Sequence, residues 1–206
     1  MDRMCHNCML MSRRNPAGQG LLEMIFAIGI LLLVVVAILA LASSGLTGVH
    51  ESEFQIIANN LGRESIEVVR SIRDRNWLSG LAWDTDLAPT EQAITVFDPS
   101  NAADPWSIVE GSGQLYQQAG LYLHADQTGP NATPTLFRRS VKINSVCQVT
   151  QNSTGGLELG EEYIVTAPAT CGTDLRIGAL VTATVQWTEA NRQRHISLQD
   201  VLYAWR

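Results

Sequence analysis

Residues 24–42 read MIFAIGILLLVVVAILALA, 19 residues without a charge or a strong hydrogen-bonding side chain. At 1.5 Å per residue a helix of that length covers about 28 Å, close to the hydrocarbon thickness of a bilayer. The stretch predicts a membrane-spanning helix. Arg13 and Arg14 precede it, and no Lys or Arg follows until Arg63. That asymmetry puts the N-terminal side in the cytoplasm and the residues after about 45 outside. Glu23 stands at the cytoplasmic margin, flanked by Leu21, Leu22 and Met24. A carboxylate at that depth is costly without a partner, so an acid there is a functional candidate by default. The plainer alternative is a glutamate whose head reaches headgroup water.

The residues just before the span are Gly18-Gln19-Gly20-Leu21-Leu22-Glu23, following a short basic stretch. This resembles the processing site of type IV prepilins. Members of that family carry a short basic leader ending in Gly, cut before an apolar segment whose fifth residue is Glu. The resemblance implies cleavage between Gly18 and Gln19 and N-methylation of Gln19. It makes Glu23 the fifth residue of the mature chain and its assembly charge. The apolar helix would then be kept as the core of a filament. The implied partners are prepilin peptidase, other pilin subunits, a pilus assembly platform and membrane lipid. The implied location is the inner membrane, single-pass with the ectodomain outside, then the pilus or cell surface. In this family the Glu meets the new amine of a neighbouring subunit, which sets register. Elementary electrostatics agrees, because an amine and a carboxylate in low dielectric attract strongly and each is costly alone. Two departures stand out: Gln19 where Phe or Met is commoner, and Gly20, which permits a competing cut.

A rival reading stays open. Ala40-Leu41-Ala42 is an A-x-A-like site before Ser43, as in a secretory signal. The apolar run is longer than an ordinary h-region, however, and it opens with Glu23. A further alternative is a membrane-anchored or secreted β-rich ectodomain with no filament role.

Beyond the span, Phe54, Ile57, Leu61, Val68 and Ile72 fall on one helical stripe, with Ser65 filling the missing turn. Glu53, Asn60, Arg63, Glu67, Arg70 and Asp74 occupy the other face. Arg63–Glu67 and Arg70–Asp74 are spaced as i,i+4 pairs. One helix is therefore expected to run out of the membrane and lay its stripe on a sheet, with Gly45 and Gly48 as soft points. The alternative is an anchor and a separate helix broken near residues 43–48. Residues 59–77 also resemble minor pilins of the pilus-modification and secretion-pseudopilin I type, which often carry a similar Arg-Glu, Ile-Glu and Arg pattern.

Residues 79–134 are rich in Gly, Pro, Asp, Asn, Ser and Thr, with short β-like runs at 94–97, 106–109 and 121–124. From residue 135 the period becomes two. Candidate strands are 136–146, 163–167 and 181–187, then a turn at 189–192 into 195–202 with Ile196 and Leu198 inward. The fold class expected is α+β and pilin-like, a long N-terminal helix, transmembrane then amphipathic, on a C-terminal antiparallel sheet of about four strands. The divisions are 1–18 leader, 19–42 transmembrane and filament-core helix, 43–79 amphipathic helix, 80–134 helix-to-sheet loop region and 135–206 sheet.

Composition narrows the function classes. The net charge is −6, with Arg3, Arg13 and Arg14 against Asp2 giving the first 18 residues +2 and leaving −8 for the rest. Lys142 is the one lysine. An acidic ectodomain predicts no general nucleic-acid partner, since that needs clustered cations. Cys5 and Cys8 form a CxxC without partner ligands, read as an accidental pair in a discarded leader. Cys147 and Cys171 would lie in an oxidising compartment and form a candidate disulfide, two buried thiols being the alternative. Asp84, Asp86, Asp98 and Asp104 offer oxygen ligands as weak Ca²⁺ candidates, but without an EF-hand loop. His124 and His195 stand alone, and no catalytic or phosphate-binding pattern appears. Trp77, Trp83 and Trp106 are expected to be covered rather than to form a binding face. The expectation is a structural subunit, not an enzyme and with no cofactor, of a minor type in a pilus or secretion-like filament. The alternative role within that class is a minor tip subunit binding a surface or DNA.

Overall fold

A computed structural model describes residues 19–98, 101, 105–111, 113–124, 127–150, 158–189 and 191–204, apart from single positions within these ranges that carry no side-chain description. The leader residues Gly18, Cys5 and Cys8 and the Ca²⁺ candidate Asp104 lie outside the described residues. Among the described residues one helix and eight strands follow each other: α1 (Gln19–Leu78), β1 (Thr90–Phe97), β2 (Trp106–Val109), β3 (Gln114–Gln118), β4 (Leu121–His124), β5 (Thr133–Gln148), β6 (Glu162–Val165), β7 (Leu175–Glu189) and β8 (Arg192–Tyr203). The class is α+β, and the helix is continuous through residues 43–48, with no break there. The chain divides into two compact units, the second being Ser52–Arg206.

β5 organises the sheet. Along one edge it pairs with β7 from Arg138 to Gln148. Its other edge is shared in turn by β3, β1 and β6. β7 continues into β8 through the turn at 189–192 in unbroken antiparallel register. β2 and β4 close the outer sides of β1 and β3. Among the described residues the sheet thus has eight strands rather than about four. The segment expected to be a helix-to-sheet loop region, 80–134, supplies four of them and the start of β5. Pro134 sits in the second position of β5, ahead of the pairing with β7 that starts at Arg138, so one edge is open there and the missing N–H is tolerated.

The core follows the two sequence periods. Leu61, Ser65, Val68 and Ile72 are buried on α1, and Phe54 and Ile57 are half-buried. On β7, Val181, Ala183, Val185 and Trp187 are buried while Thr182, Thr184, Gln186 and Thr188 are not. One cluster joins Val69 and Ile72 to Val141, Ile143, Val181 and Leu202. A second gathers Leu61, Leu115, Phe137 and Val185. At its centre Phe137 meets Phe54, Tyr122 and Trp187 at ring-centroid distances of 6.0, 6.1 and 6.2 Å. Burial of this apolar area, at about 25 cal/mol per Å², is the main stabilising term. Close approach of helix and sheet needs Gly62, where an added Cβ would come within 2.9 Å of Leu198 Cδ1. The half-buried Leu198 and Ile196 turn inward as their alternation predicts.

Charges on the outer helix face pair differently from simple i,i+4 spacing. Arg70 binds Glu67 at 2.6 Å and reaches Asp200 of β8 at 2.7 Å, instead of Asp74. Asp74 accepts from its neighbour Arg73. Arg70 thus holds one helical and one sheet carboxylate at once, and ties α1 to β8.

Candidate functional site

The first half of α1 carries the residues on which the sequence reading turns. Every residue from 20 to 46 is exposed, and the large apolar side chains there are between 42% and 77% exposed. The most apolar 18-residue window has a mean hydropathy of 3.3, and none of it is buried in the protein. By length and composition this is one candidate membrane span. In water these side chains would present a continuous apolar cylinder. An environment of lipid, or of other apolar helices, satisfies them.

Glu23 lies in the second turn of this cylinder, exposed among Leu22, Met24 and Ile25. It stands four residues, about one helical turn, after Gln19. Arg63 is the first Lys or Arg that α1 carries, 40 positions further along the helix than Glu23. A cationic partner for Glu23 at its own depth therefore has to come from outside the side chains of the apolar segment. Gly20, Gly29, Gly45 and Gly48 all have open space where a Cβ would stand, so none is required by packing within the chain.

The remaining candidates are placed by the second unit, Ser52–Arg206. Cys147 of β5 and Cys171, in the loop before β7, form a disulfide with Cα atoms 5.6 Å apart. Beside it, Asp174 accepts from the Tyr163 hydroxyl at 2.7 Å and from the Thr150 N–H at 3.1 Å. The Tyr163 hydrogen bond, then that of Thr150, holds the Asp174 carboxyl below its ordinary range. The same bond pushes the Tyr163 hydroxyl up. Asp84 does not face a cation cavity: it binds Arg176 at 3.0 Å, and Arg176 also donates to Leu87 O and lies 5.2 Å over the Trp83 ring. Burial pulls the Arg176 guanidinium down, and Asp84 offsets it. Asp86 is exposed at a positive φ of 62°. The Asp98 carbonyl accepts from Asn101 N at 3.2 Å in a turn. Among the described residues no group of three or more His, Cys, Asp or Glu could hold a metal ion.

The aromatic expectation holds for two residues out of three. Trp83 and Trp106 are half-buried against the core, but Trp77 is 59% exposed. It lies in the last turn of α1 on the outer face, seven residues after Arg70 and three after Asp74, while its neighbour Asn76 is buried. His195 is exposed on β8, whereas His124 is buried at the end of β4. Sequence reasoning missed three buried polar side chains near one another, Thr95, His124 and Arg139. The only sequence sign was the pair Arg138-Arg139 inside an alternating run, which forces one arginine to the inner face.

No family model matches the chain, and neither a curated protein nor a solved structure shows a significant likeness to it.

Proposed function

We propose that the chain is a pilin-like structural subunit, processed before Gln19 and assembled into a filament of the type IV pilus or secretion kind through its apolar helix. The observation that carries the reading is an exposed apolar half-helix with a single acid, Glu23, one turn from the expected new N-terminus. The amphipathic second half packed on an antiparallel sheet supports it, as does the spacing Gly18 to Glu23. Cleavage by a prepilin peptidase would turn the Gln19 nitrogen into a cation. Between subunits offset along the filament, that amine and Glu23 can meet. Two unit charges 4 Å apart attract by about 4 kcal/mol at an effective dielectric of about 20. An unmatched carboxylate in the same apolar surroundings is expelled, which makes the pair a register device. The resemblance of residues 59–77 favours a minor subunit.

The deciding measurement is the N-terminal residue of protein recovered from cells. N-methyl-Gln19 is expected; a chain beginning at Ser43 would overturn the reading and leave a secreted β-rich module. Glu23→Ala should lower incorporation into sheared filaments at least about tenfold, given the size of the pair energy, without changing the amount of subunit in the membrane. Normal incorporation of that variant would remove the role assigned to the charge.

A further inference from the structure

The β1–β2 and β3–β4 hairpins hang from the same edge of β5. Between them opens a cleft of about 380 Å³, lined by Glu64 of α1, Thr95 and Phe97 of β1, Trp106 of β2, Tyr122 of β4 and Arg139 of β5. Gln127 ties the two hairpins, donating to Phe97 O and accepting from His124 N. A pocket with apolar walls and a few converging polar groups is the ordinary form of a small-molecule site.

Its polar floor is short of acceptors. Arg139 is 3% exposed and Thr95 is 2% exposed. Arg139 Nη1 lies 3.2 Å from the Glu64 carboxylate, and Nη2 lies 3.5 Å from His124 Nε2, long for a hydrogen bond. Neither Arg139 Nε nor Thr95 Oγ1 has a hydrogen-bond partner among the described residues. A guanidinium has five donors and no acceptor, and leaving buried donors unmet costs free energy. The Nε–Nη2 edge is the fork that takes both oxygens of a carboxylate. Phe97, Trp106 and Tyr122 supply surface for an apolar body attached to it.

We propose that this cleft binds a small apolar carboxylic acid, with its carboxylate on the Nε–Nη2 edge of Arg139 and its body against Phe97, Trp106 and Tyr122. Glu64 is the internal competitor for the same cation; its side chain is 45% exposed, so it can turn out to solvent when a ligand enters. The site involves no residue before Glu64 and is independent of the filament reading.

The test uses the full chain in neutral detergent micelles, titrated with 3-phenylpropionate while the Trp106 indole N–H is followed by NMR. The alcohol 3-phenylpropan-1-ol is the uncharged control. A saturable shift is expected with the acid, and binding of the alcohol at least about tenfold weaker, as a lost charge-assisted pair implies. Glu64→Gln should tighten the acid severalfold, because it removes the competitor. Arg139→Gln should abolish binding. Because that variant loses a buried ion pair and can unfold, Leu121→Asp is the second probe: it sits at the rim, 62% exposed. It should weaken the acid severalfold, while Leu121→Asn changes it little. Equal binding of acid and alcohol, or no saturable shift at tens of millimolar acid, would overturn the proposal. So would weaker acid binding by Glu64→Gln, which would give the cleft to a neutral hydroxylated ligand instead.

Discussion

The two halves of α1 are one continuous helix with opposite fates. From residue 20 to 46 every position is exposed; from 54 to 76 a stripe of Leu61, Ser65, Val68, Val69, Ile72 and Asn76 is buried. Both halves form helix, so backbone conformation does not separate them. Patterning does. The outer half alternates faces with a period of 3.6, and its own sheet covers the apolar one. The inner half is apolar all round, and no single sheet could cover it. A helix of that kind is satisfied only by an apolar surrounding. An apolar helix therefore needs no burial within its own chain when its environment comes from outside.

The largest expected effect tests that contrast with one substitution made twice. Ile72→Ala, at a position 1% exposed, should cost about 3 kcal/mol of the stability of the unit Ser52–Arg206. Ile30→Ala, at a position 62% exposed, should leave that unit within about 0.5 kcal/mol of the parent. Chemical denaturation in detergent, read by near-ultraviolet circular dichroism of the tryptophans, measures both. Equal losses would show that the inner half is part of the same cooperative unit.

Of similar size is the effect of the disulfide. Its ends are 24 residues apart, so Cys147→Ala with Cys171→Ala should cost about 3 kcal/mol through the freer unfolded chain. The loss should appear in the sheet and the outer half of α1 together. Helical signal from the inner half should persist through the transition, because lipid or detergent holds it.

The smallest effect is a pH dependence. Asp174 has its carboxyl lowered by Tyr163 and Thr150. Its contribution is therefore whole above the unfolded carboxylate value of about 3.9 and fades as pH falls below it. Tyr163 is raised by the same bond, so its contribution is whole below about pH 10 and fades as pH rises further. Asp174→Asn should flatten both limbs of the stability profile of the unit Ser52–Arg206. Unchanged limbs in thermal melts across pH would mean that the bond adds nothing to the fold.

Legibility in the sequence followed periodicity. The stripe from Phe54 to Ile72 was visible because each member recurs near a full turn. β7 and β8 were visible because Val181, Ala183, Val185 and Trp187 alternate with polar residues. β1 to β4 were only partly visible: three short apolar runs marked β1, β2 and β4, none marked β3, and the surrounding Gly and Pro pointed to loop. Their strand state depends on hydrogen bonds to the edge of β5, a partner far along the chain. Arg139 and Thr95 were not foreseen as buried, since a polar residue on an inner face looks from sequence like a break in the pattern. The proposed assembly site rests on sequence alone, because Gly18, Glu23 and the apolar run lie within one contiguous segment.

By itself the sequence determined the apolar run, the place of Glu23 at its start, and the amphipathic helix that follows, and it named Cys147 and Cys171 as a candidate pair, because each rests on local composition and spacing. Tertiary structure alone decided which strands share the edge of β5, that those two cysteines come within bonding reach, that Asp84 answers Arg176, and that Arg139 lies under a cleft. Those outcomes need groups distant in the chain to come within a few ångströms. Which of them meet depends on how the whole sheet closes over the amphipathic half of the helix, and no local pattern records that.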